Sequence, residues 1–379
     1  GKLDVAVVPR YWGTMEHPGL VAMGQPLTLI PPTAETPERK RSYANILAHE
    51  LAHYWFGDLV TMAWWEDTWL NEGLGTWLDA KITDAVEPGW RFLDDVANID
   101  AALDADALPA ARAMRQVVDT ADGIQASFDN ATTYAKGAAV FAMFERWLGP
   151  ARWREVIRAH VRAHADGSAT ADDFLATVAA QVDPAAAAAL GTFLAQPGAP
   201  LVTMAVRCVD GAGRLALAQR RSLPIGVVDP DLRRWQIPVC VRSGGGRGPG
   251  VETCVVLADA TAEVALPGAC PTWLVPHVDG HGYYRTNVTG APLPPAAQLT
   301  RRERLRAISE LIAARAFEGL ASVANYKKNF KEACTQAEEA LKIYTAKSAG
   351  QALTDRIAAI KDAANCGAPA APAAKAKAK

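Results

Sequence analysis

The sequence is short of several things, and each shortage removes a class of protein. Among its 379 residues no run of about 18 consecutive apolar side chains occurs, which excludes an expected membrane-spanning helix. No strong charge of either sign is present: 39 basic and 41 acidic side chains leave a formal charge of −2, and nothing in that balance suggests a nucleic-acid partner. The balance is uneven along the chain, because residues 301–379 carry 15 basic and 8 acidic side chains and leave an acidic body before them. Cysteine is absent from the first 200 residues, then appears at 208, 240, 254, 270, 334 and 366. An even count in a strand-rich stretch is compatible with disulfides and an oxidising compartment, so a periplasmic or secreted location is slightly favoured over a cytoplasmic one. The opening Gly1-Lys2-Leu3-Asp4 has neither an initiator Met nor a leader pattern, so the sequence is expected to begin inside a longer protein.

At about 100–200 residues per domain, the length predicts two or three domains. Val5–Val8 and Leu27–Ile30 read as strands ended by Pro31-Pro32. Helical spacing of Ile46, Leu47, Leu51, Tyr54 and Trp55 predicts a helix over 41–56 with Gly57 as its stop. Asp67 and Thr68 offer an N-cap to a second helix carrying Leu70, Leu74, Trp77, Leu78 and Ile82. Further helical patterns cover about 88–103, 130–148, 150–165 and 170–195. The texture changes at Gln196-Pro197-Gly198-Ala199-Pro200, beyond which alternating strands predict a β-sandwich over 197–292, with Cys240 and Cys254 flanking one of its loops. A helical segment over 293–367 (Leu299–Arg315, then about 317–345 and 349–365) and an Ala/Pro/Lys tail over 368–379 complete the chain. The expected class is α+β and multidomain, with a mainly helical unit over 1–196.

The segment that carries chemistry is His49-Glu50-Leu51-Ala52-His53. Residues four apart on a helix share a face about 5–6 Å apart, so both imidazoles can reach one cation at about 2.0–2.1 Å. Glu50 stands beside them, in reach of a water on that cation. Two histidines at this spacing are often only a packed or solvated pair, and the chemistry asks for a third ligand. Glu72 supplies it from the second predicted helix, after eighteen intervening residues. Two imidazoles and a carboxylate with an open position form a catalytic rather than a structural zinc site, and one zinc ion per chain is expected.

The stretch from His49 to Gly73 resembles the signature of the zinc aminopeptidases of the aminopeptidase N type, in the gluzincin group, including the Phe-Gly and Trp-Trp between the ligands. Gly13-Thr14-Met15-Glu16-His17 is similar to the family's Gly-x-Met-Glu-Asn segment, and Tyr134-Ala135-Lys136-Gly137 to its Tyr-x-Lys-Gly element. Weaker likeness continues through Gln196–Leu201 and Gly282–Arg285, so the resemblance covers roughly 3–315. It implies a thermolysin-like catalytic domain over 1–196 and hydrolysis of the N-terminal peptide bond of peptides. Zinc would be held by His49, His53 and Glu72, with Glu50 as general base and Tyr134 steadying the tetrahedral intermediate. Gly13, Met15 and Glu16 would bind substrate, the Glu holding its free amino group. His17 stands where the family has Asn. The family also has a whole N-terminal β domain where this sequence has a dozen residues before Gly13, and commonly a large helical domain where it has a short basic segment.

Other readings stay open. The alternatives are a gluzincin with endopeptidase or non-peptide hydrolase activity, and an inactive scaffold or interaction module. Glu16 also reads as a turn carboxylate and Tyr134 as a helix-face aromatic. His160 and His164 share helical spacing, but among Arg154, Arg158 and Arg162 they read as structural. The tryptophans around the motif read as core. Expected partners are peptides with a free N-terminus, and the sequence sets no oligomeric state.

Overall fold

A computed structural model describes residues 2–224, 227, 229–310 and 361. The chain opens on a small sheet of three strands, β1 (Asp4–Val8), β2 (Thr14–Met15) and β3 (Leu20–Gly24), in the order β1-β3-β2. β1 runs parallel to β3 and β2 antiparallel to it. Leu27–Ile30, expected as a strand, is not one: Pro26 starts a single helical turn, α1 (Gln25–Thr28), closed by Thr28 Oγ1 donating to Gly24 O at 2.9 Å.

The first long helix, α2, spans Pro37–Ala52. It starts before the expected boundary because Thr36 caps it, accepting from Arg39 N at 3.3 Å, with Pro37 at the first helical position. It ends at Ala52, and His53–Phe56 turn away from the helix axis. Gly57 is a corner rather than a helix stop: at φ +132° it lies where a Cβ would meet Asn71 Oδ1 at 2.5 Å. After β4 (Val60–Met62) comes α3 (Thr68–Val86). Asp67 precedes it but does not cap it. Its buried carboxylate is held instead by Ala171 N at 2.8 Å, Arg115 Nε at 3.0 Å and Trp69 Nε1 at 3.3 Å.

The helix expected over 88–103 is cut at Arg91, which adopts a left-handed conformation between two short 3-10 turns, so only α4 (Ala97–Asp106) forms. Next come α5 (Ala121–Ser127), a π-helical turn (Asn130–Lys136), α6 (Gly137–Leu148) and α7 (Pro150–His164). β5 (Gly167–Ala169) pairs in parallel with β4. The helix expected over 170–195 is two helices, α8 (Ala171–Gln181) and α9 (Pro184–Ala195). Pro184 cannot donate to the preceding turn, and Asp183 caps the new helix through Ala186 N at 2.7 Å. Trp69, Phe141, Phe144, Trp153 and Phe174 interlock between these helices, with ring centroids 5.8–6.3 Å apart for the pairs Trp69–Phe141 and Trp153–Phe174.

Beyond the Pro-Gly-Ala-Pro stretch the chain is strands: β6 (Pro200–Val209), β7 (Ala212–Arg221), β8 (Ile237–Gly244), β9 (Val251–Leu257), β10 (Thr261–Ala269), β11 (Trp273–Val275) and β12 (Arg285–Thr289). They form one sheet ordered β10-β7-β6-β12 and another ordered β11-β8-β9. Asp210 and Gly211, both at positive φ, make the tight β6–β7 hairpin turn. Cys240 and Cys254 face each other across β8 and β9 and are disulfide-bonded, and Cys208 is bonded to Cys270. Buried side chains of the two sheets (Val202, Met204, Leu217, Val239) and of the helices (Phe144, Phe193) belong to one continuous apolar cluster. Residues 301–310 are helical. The expected segments at 317–345 and 349–365, Cys334, Cys366 and the 368–379 tail lie outside the described residues, Lys361 excepted. The class is α+β, and no helix among the described residues is long and apolar enough to cross a membrane.

Candidate metal centre

His49 and His53 stand on and just past the last turn of α2, and Glu72 on the second turn of α3. The two helices pack closely because Gly75 has no side chain. A Cβ there would lie 3.0 Å from His49 Cε1 and 3.1 Å from His53 Cε1. Three ligand atoms converge across this contact. His49 Nε2 and His53 Nε2 are 2.9 Å apart, and Glu72 Oε2 is 3.2 Å from the first and 3.4 Å from the second. Ligand atoms at about 2.0–2.1 Å from a tetrahedral zinc would be separated by about 3.3 Å, so the triangle is the right size.

The outer ring nitrogens show which way the inner ones face. His49 Nδ1 lies 3.2 Å from Asp79 Oδ2, and His53 Nδ1 lies 2.9 Å from Phe56 O. Each acceptor holds a proton on Nδ1, which leaves two Nε2 lone pairs pointed at one another and at a carboxylate oxygen. Such a set of donors is repulsive alone and is resolved by positive charge between the atoms, a proton in the metal-free chain or a metal ion that displaces it. Burial opposes charge on His49, but Asp79 and Glu72 outweigh it and raise the imidazole. Burial likewise opposes charge on Glu72, and the two histidines override it and hold the carboxyl well below its ordinary range. The residues present therefore fit a zinc ion.

Around this triangle lies a cleft of about 800 Å³ whose walls include Met15, Glu16, Glu50, Tyr134 and the ligands. Glu50 is buried on α2 between the two histidines, and burial raises its carboxyl above the usual range against a hydrogen bond with Thr14. That suits a group which must both take and give a proton. Tyr134 stacks on His49 at 5.9 Å between centroids, and burial together with the Glu72 charge raises its hydroxyl, which keeps it a donor. Its turn is fixed to α3 by Gly73 and Gly137. A Cβ on Gly73 would lie 3.1 Å from Gly137 Cα, and one on Gly137 would lie 2.9 Å from Gly73 Cα. Glu16, just after β2, accepts from Asn71 Nδ2 at 3.1 Å and lies 3.8 Å from His53 Nδ1. Met15 lines the cleft beside it. Gly13 stands behind, its carbonyl taking Gly24 N at 2.9 Å and Tyr11 packed over it.

Sequence reasoning missed four residues that shape this site. Asp79 follows Glu72 by two helical turns, and Asn45 precedes His49 by one; Asn45 Nδ2 donates to Asp79 Oδ1 at 2.9 Å. Both sit at regular helical spacing from a ligand, which is the signal that would have found them. Asn71, which orients Glu16, and Asp58, whose carboxyl is pushed up to about 6 by burial and by Glu16, carry no such signal. His160, in contrast, is buried against Phe174 and belongs to no metal-type cluster among the described residues.

A family model described as the peptidase family M1 domain matches residues 1–194. The chain belongs to peptidase family M1. It is 33% identical to aminopeptidase N of Lactobacillus helveticus over 240 residues, 63% of this chain and 28% of that protein. Aminopeptidase M1 of Arabidopsis thaliana is 30% identical over 301 residues, covering 75% of this chain and 33% of its own length. A mitochondrial aminopeptidase 2 of Saccharomyces cerevisiae is 30% identical over 291 residues, 76% and 30% of the two chains. This M1 chain thus spans about a third of the curated relatives it matches. The latter two matches are longer than the segment 1–194 matched by the family model, so likeness extends into the strand-rich region.

Proposed function

We propose that the chain carries the catalytic centre of a zinc-dependent aminopeptidase that hydrolyses the N-terminal peptide bond of peptides. The convergence of His49 Nε2, His53 Nε2 and Glu72 Oε2 with Glu50 and Glu16 in one cleft carries this reading. Family membership and relatives named aminopeptidases support it. In the same reading residues 1–196 act as a thermolysin-like catalytic domain and 197–292 as a β-sandwich braced against it. The two disulfides fit an oxidising compartment.

Zinc held by the three ligands would supply Lewis acidity, polarising the scissile carbonyl and making water more acidic. Glu50 takes the proton from the attacking water and passes it to the leaving amine nitrogen. The Tyr134 hydroxyl donates to the carbonyl oxygen as negative charge develops there. Glu16, held by Asn71, pairs with the substrate's α-ammonium. That charge exists only at a chain end, so the pairing sets the register of cleavage to one residue.

The test is metal analysis of the purified chain with hydrolysis of aminoacyl-arylamides bearing free or blocked amines. One zinc per chain and cleavage of the free-amine substrates are expected, with Glu50→Gln keeping the metal and losing about 10²–10⁴-fold in turnover. Full activity of Glu50→Gln overturns the general base. Equal loss on free and blocked substrates in Glu16→Ala overturns the aminopeptidase register in favour of internal cleavage.

A further inference from the structure

Lys136 is wholly buried, with no solvent exposure, on the π-helical turn that carries Tyr134. Its Nζ lies 2.9 Å from Asp106 Oδ2 and donates to Gly198 O at 3.1 Å. The Tyr283 hydroxyl donates to the same Asp106 oxygen at 2.8 Å, and the ammonium sits 5.8 Å from the Tyr283 ring centroid. Four separate pieces of chain meet at this point: the π turn, the end of α4, the Pro-Gly-Ala-Pro connection, and the segment leading into β12. None of these groups faces the metal cleft.

A buried ion pair is weak evidence for stability, because desolvating both charges offsets most of their attraction. What a fully bonded buried pair does supply is a fixed geometry, since each partner has only one arrangement that leaves no charge unmet. Lys136 follows Tyr134 by two residues, so the two side chains leave the turn in different directions. Tyr134 stacks on a metal-ligand imidazole, and Lys136 is clamped on Asp106. Rotating the turn to move one would break the other. α4, which supplies Asp106, is itself held from the strand-rich region. Arg285 Nη2 reaches Asp104 Oδ1 at 2.5 Å, and Arg306 Nη1, on the helix that follows the strands, reaches Asp100 Oδ1 at 2.7 Å.

We infer that Lys136, Asp106 and Tyr283 are positioning residues that set the Tyr134 hydroxyl, so that the strand-rich region contributes to turnover through the Tyr283–Asp106–Lys136 chain of hydrogen bonds. This rests on the reading of Tyr134 as the donor to the carbonyl oxygen. Tyr283→Phe removes the hydroxyl and keeps the buried ring, and Lys136→Met/Asp106→Leu removes both charges together.

The experiment uses the full chain loaded with zinc, with metal content checked in every variant. It measures kcat and KM on an aminoacyl-arylamide, and calorimetric affinity for a phosphinic dipeptide analogue of the tetrahedral state against that for free leucine. Tyr283→Phe should lower kcat and the phosphinate affinity by on the order of 10- to 10²-fold, leaving KM, zinc content and leucine affinity unchanged. Lys136→Met/Asp106→Leu should do the same, and Tyr283→Phe should cause no further loss in a Tyr134→Phe background. Unchanged kcat and phosphinate affinity in Tyr283→Phe overturns the positioning role, as does an equal loss with and without the Tyr134 hydroxyl. Should Tyr134→Phe itself bind the phosphinate as tightly as the parent chain, the donor reading falls and this inference with it.

Discussion

The carboxylate of Asp79 lies 3.2 Å from His49 Nδ1 and so holds the one proton that decides which nitrogen of that ring faces the metal triangle. Asn45 holds the other oxygen of the same carboxylate. A neutral amide in place of Asp79 removes the negative charge that makes the imidazole a strong base, leaving one carbonyl oxygen to serve both His49 and Asn45. Asp79→Asn should weaken zinc binding about 10- to 100-fold, read by competition with a chelator of known affinity. Affinity equal to that of the parent chain would mean that the ring is oriented by packing alone.

Gly75 predicts a case in which folding and metal binding part company. Alanine is favoured over glycine inside a helix by about 1 kcal/mol, yet its Cβ would press on both imidazoles at 3.0–3.1 Å. In Gly75→Ala the helix-propensity gain and the overpacking oppose each other, so the metal-free melting temperature should change little while zinc affinity falls at least ~10-fold. Thermal melts with and without metal check both halves, and unchanged affinity would show that the rings move aside freely.

His160 gives a pH dependence with a definite sign. Burial, with His164 nearby, depresses its imidazole from the ordinary 6.5 to about 4. Below 6.5 the unfolded chain gains a proton that the folded chain refuses, so this contribution to stability is full above 6.5 and is lost as the pH falls towards 4. The loss should approach roughly 3 kcal/mol. Urea midpoints at pH 7 and 4.5 should converge in His160→Phe relative to the parent; an identical acid dependence in both would place the effect elsewhere.

The Cys240–Cys254 bond closes a loop with a sequence separation of 14. Cutting a loop of that size costs about 3 kcal/mol by the chain-entropy estimate. Cys240→Ser/Cys254→Ser should lower the unfolding midpoint accordingly, and the parent chain in reductant, which also loses the Cys208–Cys270 bond, should fall at least as far. No difference between oxidised and reduced parent would show that the bond adds nothing.

The His49–His53–Glu72 group that could hold a metal was legible because its signal is local or nearly so: two imidazoles one turn apart and a carboxylate on the next amphipathic helix. Where expectation and structure part, a distant partner or a backbone detail decides. Asp67 has the chemistry of a cap, but Arg115 and Ala171, far along the chain, take its oxygens. The Ala-rich pattern over 170–195 hides a break that Asp183-Pro184 marks plainly once proline's missing N–H is weighed. Leu27–Ile30 is apolar enough for a strand but finds no neighbour to pair with, and Pro26 starts a turn instead. The Asn71–Glu16 and Lys136–Asp106 contacts join residues 55 and 30 positions apart in sequence, with no periodicity to announce them.

Because Gly73 and Gly137 meet backbone against backbone, the helix bearing Glu72 and the turn bearing Tyr134 leave no slack between them. Glu72 and Tyr134 are thereby carried on what is mechanically a single rigid jaw, whose opening cannot be widened without prising that joint apart. Under the aminopeptidase proposal, adaptation to bulkier or smaller first residues would then fall to other cleft-lining side chains such as Met15 and Tyr11, which can be exchanged while the jaw keeps its gauge.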